Sequence, residues 1–229
     1  MQTQIKIITL LFVLISSNLY SQTNYPFDME PGFGFELQIG YPTLNLDPLK
    51  ETRDNGLTSF EFPAKVTDDY PHLPYFQGEL LYCSKLFDLG LAFSFLTTGT
   101  RVHYSDYSGE YKFDNVISNY EYGLIIKTKD VNRDSPYGVQ SYVEVGYSSL
   151  RMKSTEYILI GNQKQSNDDL FTNTLLFCEL GLKGNYYFDN FIASIGISYF
   201  LEFENELSIG FDGFRAHIGI GYRLPFSKK

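Results

Sequence analysis

Residues 214–226 constrain the chain most. They alternate without interruption between apolar or aromatic residues (Phe214, Ala216, Ile218, Ile220, Tyr222, Leu224, Phe226) and polar or small ones (Arg215, His217, Gly219, Gly221, Arg223, with Pro225). Successive side chains of a β-strand point to opposite faces, so this segment is a ribbon with one oily side. It is longer than the usual strand of about 5–6 residues. A tilted strand of roughly 9–11 residues is what crosses a bilayer.

The pattern recurs upstream. Phe33, Phe35, Leu37, Ile39 and Tyr41 oppose Gly34, Glu36, Gln38 and Gly40. Phe76, Leu80 and Tyr82 oppose Gln77, Glu79 and Lys85; Leu89, Leu91, Phe93 and Phe95 oppose Gly90, Ala92 and Ser94. Tyr120, Tyr122, Leu124 and Ile126 oppose Glu121, Gly123 and Lys127, and Val139, Val143, Val145 and Tyr147 oppose Gln140, Glu144, Gly146 and Ser148. Leu176, Cys178, Leu180 and Leu182 oppose Glu179, Gly181 and Lys183; Phe191, Ala193, Ile195, Ile197 and Tyr199 oppose Ser194, Gly196 and Ser198. With the closing strand this makes eight.

The connections alternate in length. Phe87-Asp88, Thr128–Tyr137 and Asp189-Asn190 are the shorter ones; Thr43–Pro74, Thr97–Asn119, Arg151–Phe171 and Glu202–Gly213 are the long ones. Short turns on one side and long loops on the other characterise outer-membrane barrels, with the short turns periplasmic. The expected fold is therefore all-β: an up-and-down antiparallel transmembrane β-barrel of about eight strands over 33–226, with both termini in the periplasm. Outside the N-terminus no apolar run reaches the roughly 20 residues of a transmembrane helix.

Met1–Ser21 reads as a cleavable signal peptide: Lys6, a short apolar core Ile7–Ile15, then Ser16–Ser21, polar and small. Residues 22–32 form a polar periplasmic leader, and the expected location is the cell outer membrane. The formal charge is −9, and loss of Lys6 with the signal makes it one unit more negative. Such a chain lacks the clustered bases that nucleic-acid binding needs. The two cysteines, Cys83 and Cys178, fall on opposite faces by strand parity, so they are not expected to form a disulfide.

A soluble barrel also alternates, with its oily face inward. Here the polar face is rich in Gly, Ala and Ser, which suits a narrow interior. Aromatic residues gather near strand ends (Phe33, Phe35, Tyr41, Tyr147, Phe191, Tyr199, Tyr222, Phe226), as interfacial girdles do. The oily face is accordingly assigned to lipid.

On these features the chain resembles the small outer-membrane barrels of the OmpA, OmpX and OmpW kind, over about Phe33–Phe226. In the closing strand His217, Gly219, Tyr222, Leu224 and Phe226 resemble the barrel-assembly signal of that class, although Ser227-Lys228-Lys229 follow the aromatic end. The resemblance implies contact with the barrel-assembly machinery and with outer-membrane lipids and lipopolysaccharide. No peptidoglycan-binding domain follows in this sequence, so the cell-wall tether of full OmpA proteins is not implied.

The inward faces carry Glu36, Glu79, Glu121, Glu144 and Glu179 together with Lys85, Lys127, Lys183, Arg215, His217 and Arg223. Charges inside a narrow barrel must be paired. A salt-bridge network filling the lumen is expected, with Arg215 or Arg223 reaching one of the glutamates, Glu36 first because closure sets the first strand beside the last. A narrow gated channel or small hydrophobic-molecule conduit is the alternative.

His103 and Ser105 share an outward face near Glu110 and resemble part of a PagL-type lipid A deacylase site, a His base beside a Ser nucleophile. Asp106-Tyr107 stand where that family has Asn-Ala, so a lipid A-modifying enzyme is the second alternative only. Acidic residues at Asp68-Asp69 and at Glu202, Glu204, Glu206 and Asp212 lack the Asp-x-Asp-x-Asp-Gly spacing of a calcium loop. Gly219-x-Gly221 lies within a strand and is no nucleotide fingerprint. The expectation is a non-enzymatic barrel with no cofactor and no metal, acting structurally or through four extracellular loops.

Overall fold

The computed structural model describes residues 31–43, 46–58, 65–84, 86–107, 109–129, 136–160, 163–203 and 211–226. The signal segment, nearly all of the leader, Lys85, Glu204, Glu206 and 227–229 lie outside them. Among the described residues, nine strands and one helix follow in order: β1 (Gly32–Pro42), α1 (Asp47–Thr58), β2 (Lys65–Asp69), β3 (Tyr75–Cys83), β4 (Phe87–Ser105), β5 (Gly109–Thr128), β6 (Tyr137–Ile160), β7 (Gln163–Phe188), β8 (Phe191–Phe203) and β9 (Gly213–Pro225).

Eight of the strands close a ring. Each of β3 to β8 pairs antiparallel with the next in sequence, and β1 pairs with both β3 and β9. The β1–β9 seam runs in continuous register from Gly32↔Pro225 to Pro42↔Arg215. Closure leaves no edge within the wall, so every backbone polar group there has a partner strand, as a lipid surrounding requires. The ninth strand, β2, stands outside the ring and pairs with the far end of β4.

The exterior is oily and the interior polar, the reverse of a soluble barrel. Phe33, Leu37, Leu80, Leu91, Leu124, Ile195 and Ile220 are exposed, while Glu36, Glu79, Glu121, Glu144 and Glu179 are buried. Aromatic pairs cluster at the end that holds the chain termini: Phe33 with Phe226 (5.2 Å between ring centroids), Phe191 with Tyr222 (4.9 Å), Phe188 with Phe191 (5.5 Å). A second set, Phe93–Tyr122, Phe95–Tyr120 and Tyr199–Phe214, lies toward the other end. Two aromatic zones flanking an aliphatic band match the two interfaces of a bilayer. The closed ring with its oily exterior is the architecture of a transmembrane β-barrel.

The termini-side turns are tight. Between β7 and β8 only Asp189 and Asn190 intervene, with Asp189 at φ 54°, a conformation that Asp tolerates better than most residues. The turn expected at Phe87-Asp88 sits a few residues earlier. Ser84 Oγ accepts from the amides of Leu86 and Phe87 at 3.3 and 3.1 Å, which reverses the chain before β4 begins at Phe87.

On the opposite side the long loops are mostly strand. β4 and β5 stay paired from Phe87↔Thr128 to Ser105↔Glu110, and β6 and β7 from Tyr137↔Tyr186 to Ile160↔Gln163. The described residues of the segments expected as loops, Thr97–Asn119 and Arg151–Phe171, are therefore mostly sheet extensions beyond the membrane band. They carry Thr, Ser, Asn, Lys and Asp on both faces, so the alternation that marks a lipid-facing strand vanishes although the ladder continues. The first long connection, Thr43–Pro74, contains α1 and β2. Helix α1 starts with Asp47 and Pro48, an acid at the positive helix end and a residue whose missing N–H would have been unpaired anyway.

Candidate functional site

The interior of the barrel is built in layers. Nearest the termini, Asp88 on β4 is fully buried, is ion-paired with Lys129, and accepts from Arg223 Nη2 at 3.0 Å. Above it, Lys127 and Lys183 share two acids. Lys127 Nζ donates to Glu36 Oε2 at 2.8 Å and also to Glu79; Lys183 Nζ donates to Glu36 Oε2 at 2.9 Å and to Glu79 Oε1 at 3.1 Å. Gln38 Nε2 donates to Glu79 Oε1 at 2.5 Å. Two bases on β5 and β7 thus cross the lumen to two acids on β1 and β3.

The third layer centres on Arg215 of β9. Its Nη2 donates to Glu121 Oε1 at 2.6 Å, and its Nη1 donates to Glu121 Oε2 at 2.8 Å and to Glu179 Oε2 at 3.0 Å. Asn119, Ser94 and Tyr142 complete the shell: Asn119 Nδ2 and Ser94 Oγ donate to Glu121, and Tyr142 OH donates to Glu179 Oε1 at 2.8 Å. Glu144 lies beside this layer and accepts from Gln77 Nε2 at 2.9 Å. Among the described residues no Lys, Arg or His is within ion-pair distance of it. Glycine makes room for these groups: a Cβ at Gly123 would collide with the Glu144 carboxyl, and one at Gly181 with the Tyr142 ring.

An apolar septum covers the third layer. Tyr75, Leu96, Ile117, Leu150, Phe177 and Phe200 supply one inward residue from each of β3 to β8, and Leu46, Tyr70 and Phe211 close over them from the connections. Phe177 and Phe200 stack at 4.9 Å, and the Arg215 guanidinium lies 3.6 Å from the Phe200 ring centroid, so the ionic and apolar layers touch. Leu49 of α1 packs on the septum, and Arg53 Nη1 ties the helix to Asp69 at 2.6 Å and to Thr100 at 3.1 Å.

All five interior glutamates read from the sequence are inward and buried. Arg215 meets Glu121 and Glu179. The neighbourhood expectation for Glu36 is overturned: in the seam register Glu36 faces Gly221, while Arg223 faces Gly34 one step lower and reaches Asp88 instead. Glu36 finds its bases across the lumen. Sequence reasoning placed Asp88 in a turn and left Lys129 and the septum unread. The septum had a signal, since Leu96, Ile117, Leu150, Phe177 and Phe200 are apolar residues at inward parity.

Of the closing-strand residues, His217 is buried inside, its Nδ1 3.4 Å from Tyr75 OH, and Gly219 faces Gln38 across the seam. Tyr222, Leu224 and Phe226 point outward into the termini-side aromatic zone. Cys83 is buried and Cys178 half-buried, and both are free thiols.

His103 and Glu110 do meet on the raised part of the β4–β5 hairpin, His103 Nε2 lying 3.1 Å from Glu110 Oε1. That carboxylate is shared with Lys112 Nζ at 2.8 Å. The Lys112 hydrogen bond, then the His103 one, hold Glu110 below the usual carboxylate range. Among the described residues no hydrogen bond joins His103 to Ser105, so the base and the nucleophile of a deacylase are not linked.

No family model matches the chain, and no curated protein does. Solved structures similar to it include the following three. The attachment invasion locus protein Ail of Yersinia pestis shares 17% identity over 86% of this chain and 100% of that one, with a TM-score of 0.41. The N-terminal β-barrel domain of Pseudomonas aeruginosa OprF shares 16% over 85% and 100% (TM-score 0.35). Neisserial surface protein A shares 12% over 85% and 97% (TM-score 0.34).

Proposed function

We propose that this protein is a sealed outer-membrane barrel whose working part is the sheet that β4 to β7 raise beyond the membrane, and that it acts by contact at the cell surface. The observation that carries the reading is the open edge of β7. Its pairing with β8 begins only at Leu176↔Phe203, while β6 pairs with it from Gln163 onward. Among the described residues, Gln163–Leu175 therefore has a partner strand on one side only. Side chains 163–172 are exposed on both faces. A row of unpaired N–H and C=O groups is a template for a strand from another chain.

The lumen supports the same reading. Three ionic layers and an apolar septum lie in series across it, an arrangement suited to rigidity and not to flow. The test compares the full chain with a variant in which 155–168 are replaced by a two-residue turn. The truncated barrel is expected to assemble, with unboiled gel mobility unchanged, and to lose adhesion of expressing cells to protein-coated surfaces. Planar bilayers carrying the full chain are expected to show no steady conductance. Unchanged adhesion of the truncated form would overturn the surface role, and steady conductance would favour the narrow channel.

A further inference from the structure

Between α1 and the inner face of the raised sheet lies a cavity of about 290 Å³. Its apolar walls come from Leu57 of the helix, Tyr70 after β2, Tyr111 and Phe113 of β5 and Met152 of β6, and its polar groups include Asn115 of β5, Ser154 of β6 and Thr52 of the helix. Tyr70, Tyr111 and Asn115 are each more than nine-tenths buried. The cavity is a dead end, because Tyr70 and the septum beneath it close the way into the lumen.

We propose that this cavity is a binding site for a small neutral amphipath, an apolar body carrying one N–H or O–H donor. The volume sits at the low end of ligand pockets, which start near about 300 Å³. The donor is specified by Asn115. Its Oδ1 is buried and accepts from no protein group among the described residues, although a buried amide oxygen ordinarily has a donor. A neutral ligand is specified by the charges. The one cation on the lining, Arg53, already faces Asp54 and Asp69 at 2.7 and 2.6 Å, so it offers no net attraction to an anion. Burial also pushes the Tyr70 and Tyr111 phenols up to about 12, which keeps them uncharged. A largely apolar lining with a few polar groups, of which the Asn115 oxygen is the buried one without a partner among the described residues, is the usual composition of a small-molecule pocket.

The site is separate from the β7 edge and stands whether or not that edge takes a partner. The probe is indole, an aromatic body with one N–H, set against 1-methylindole, which has the same shape and no donor. The full chain, folded in lipid nanodiscs, is titrated with each while the Met152 methyl and Asn115 side-chain amide are followed by NMR. Saturable shifts are expected with indole, with at least fivefold weaker binding of 1-methylindole. Asn115→Ala is expected to erase the difference between the two, and Met152→Trp to abolish both by filling the space, with barrel assembly confirmed by unboiled gel mobility. If either variant fails to assemble, the indole comparison on the unaltered chain decides alone. Absence of saturable shifts, or equal affinity for the two probes in the unaltered chain, overturns the proposal.

Discussion

Arg215 on β9 grips Glu121 on β5 with both terminal nitrogens, at 2.6 and 2.8 Å, across the full width of the lumen. The two strands are not neighbours in the wall, so the fork joins opposite sides of the barrel. Both side chains are almost wholly buried, at 3% and 5% exposure. Bidentate Arg–carboxylate pairing is the strongest form of such a contact. Arg215→Ala would strand Glu121 and Glu179 without their base. Removing one partner of a buried pair costs about 3–5 kcal/mol. The exposed Arg101–Asp114 pair, of similar length at 2.6 Å, should contribute little, because solvent screens it. Urea unfolding of the two alanine variants in detergent should separate them by several kcal/mol. Equal midpoints would show that the lumen fork is not structural.

Glu144 predicts the opposite sign from its neighbours. It is 2% exposed, it has the Gln77 amide as its hydrogen-bond donor, and among the described residues no base lies within ion-pair distance. Glu144→Gln removes a charge that nothing compensates and keeps the shape and an acceptor oxygen. Its expected effect is neutral or stabilising. Glu121→Gln removes half of the Arg215 fork and should destabilise by about 1.5–3 kcal/mol, the range for hydrogen bonds to charged groups. Thermal gel shifts of the two variants check this, and a larger loss for Glu144→Gln than for Glu121→Gln would refute it.

Ile220 tests the outer face. It is 66% exposed and lies across from Leu37 on β1 and Ala193 on β8, within the aliphatic band. A basic residue on the lipid face costs about 2–4 kcal/mol near the bilayer midplane. Ile220→Arg should markedly reduce assembled barrel, while Tyr107→Arg, at a fully exposed hairpin tip, should leave it unchanged. The fraction of heat-modifiable protein in outer membranes measures both. Normal assembly of Ile220→Arg would mean that the oily face does not meet lipid.

How much of this was legible follows from what each segment must satisfy. Within the lipid band one face is oily and the other is not, so the period-2 alternation of Phe33–Tyr41 or Phe191–Tyr199 declares both the strand and its orientation. Above the band, solvent bathes both faces of β7 and the outer face of β6. Residues such as Lys153, Ser154, Asn167 and Asp168 are then polar at every position, and the strand is invisible to a hydrophobic pattern although its ladder is unbroken. The inward glutamates could be found by parity alone. Their partners could not, because Lys127 reaches Glu36 through space and strand neighbourhood says nothing about contacts across a lumen. Asp88 was misplaced because an Asp after an aromatic residue resembles turn chemistry. Helix α1 has weak amphipathicity, and its anchor is the Arg53–Asp69 bond, a contact that no local sequence signal marks.

That anchor gives the last prediction. Asp69 lies on β2, outside the membrane band, and the hydrogen bond from Arg53 is the main cause that holds its carboxyl below the ordinary value of 3.8. A carboxylate whose folded pKa is depressed contributes stability above its unfolded value, and that stability is lost as pH falls through the folded one. The hold of β2 on α1 should therefore be constant between about pH 5 and 8 and weaken below the ordinary Asp range. The opposite slope would require a raised pKa, which this contact cannot produce. A nitroxide at Glu51→Cys, an exposed position of α1, reports helix mobility in a Cys83→Ser, Cys178→Ser background. Its spectrum should stay immobile through the neutral range and turn mobile in acid. Asp69→Asn should be more mobile at every pH, since the neutral amide keeps an acceptor but loses the charge that Arg53 faces. A spectrum that stays unchanged into strong acid, with Asp69→Asn indistinguishable from the unaltered chain, would show that the septum contacts of Leu46 and Leu49 hold the helix by themselves.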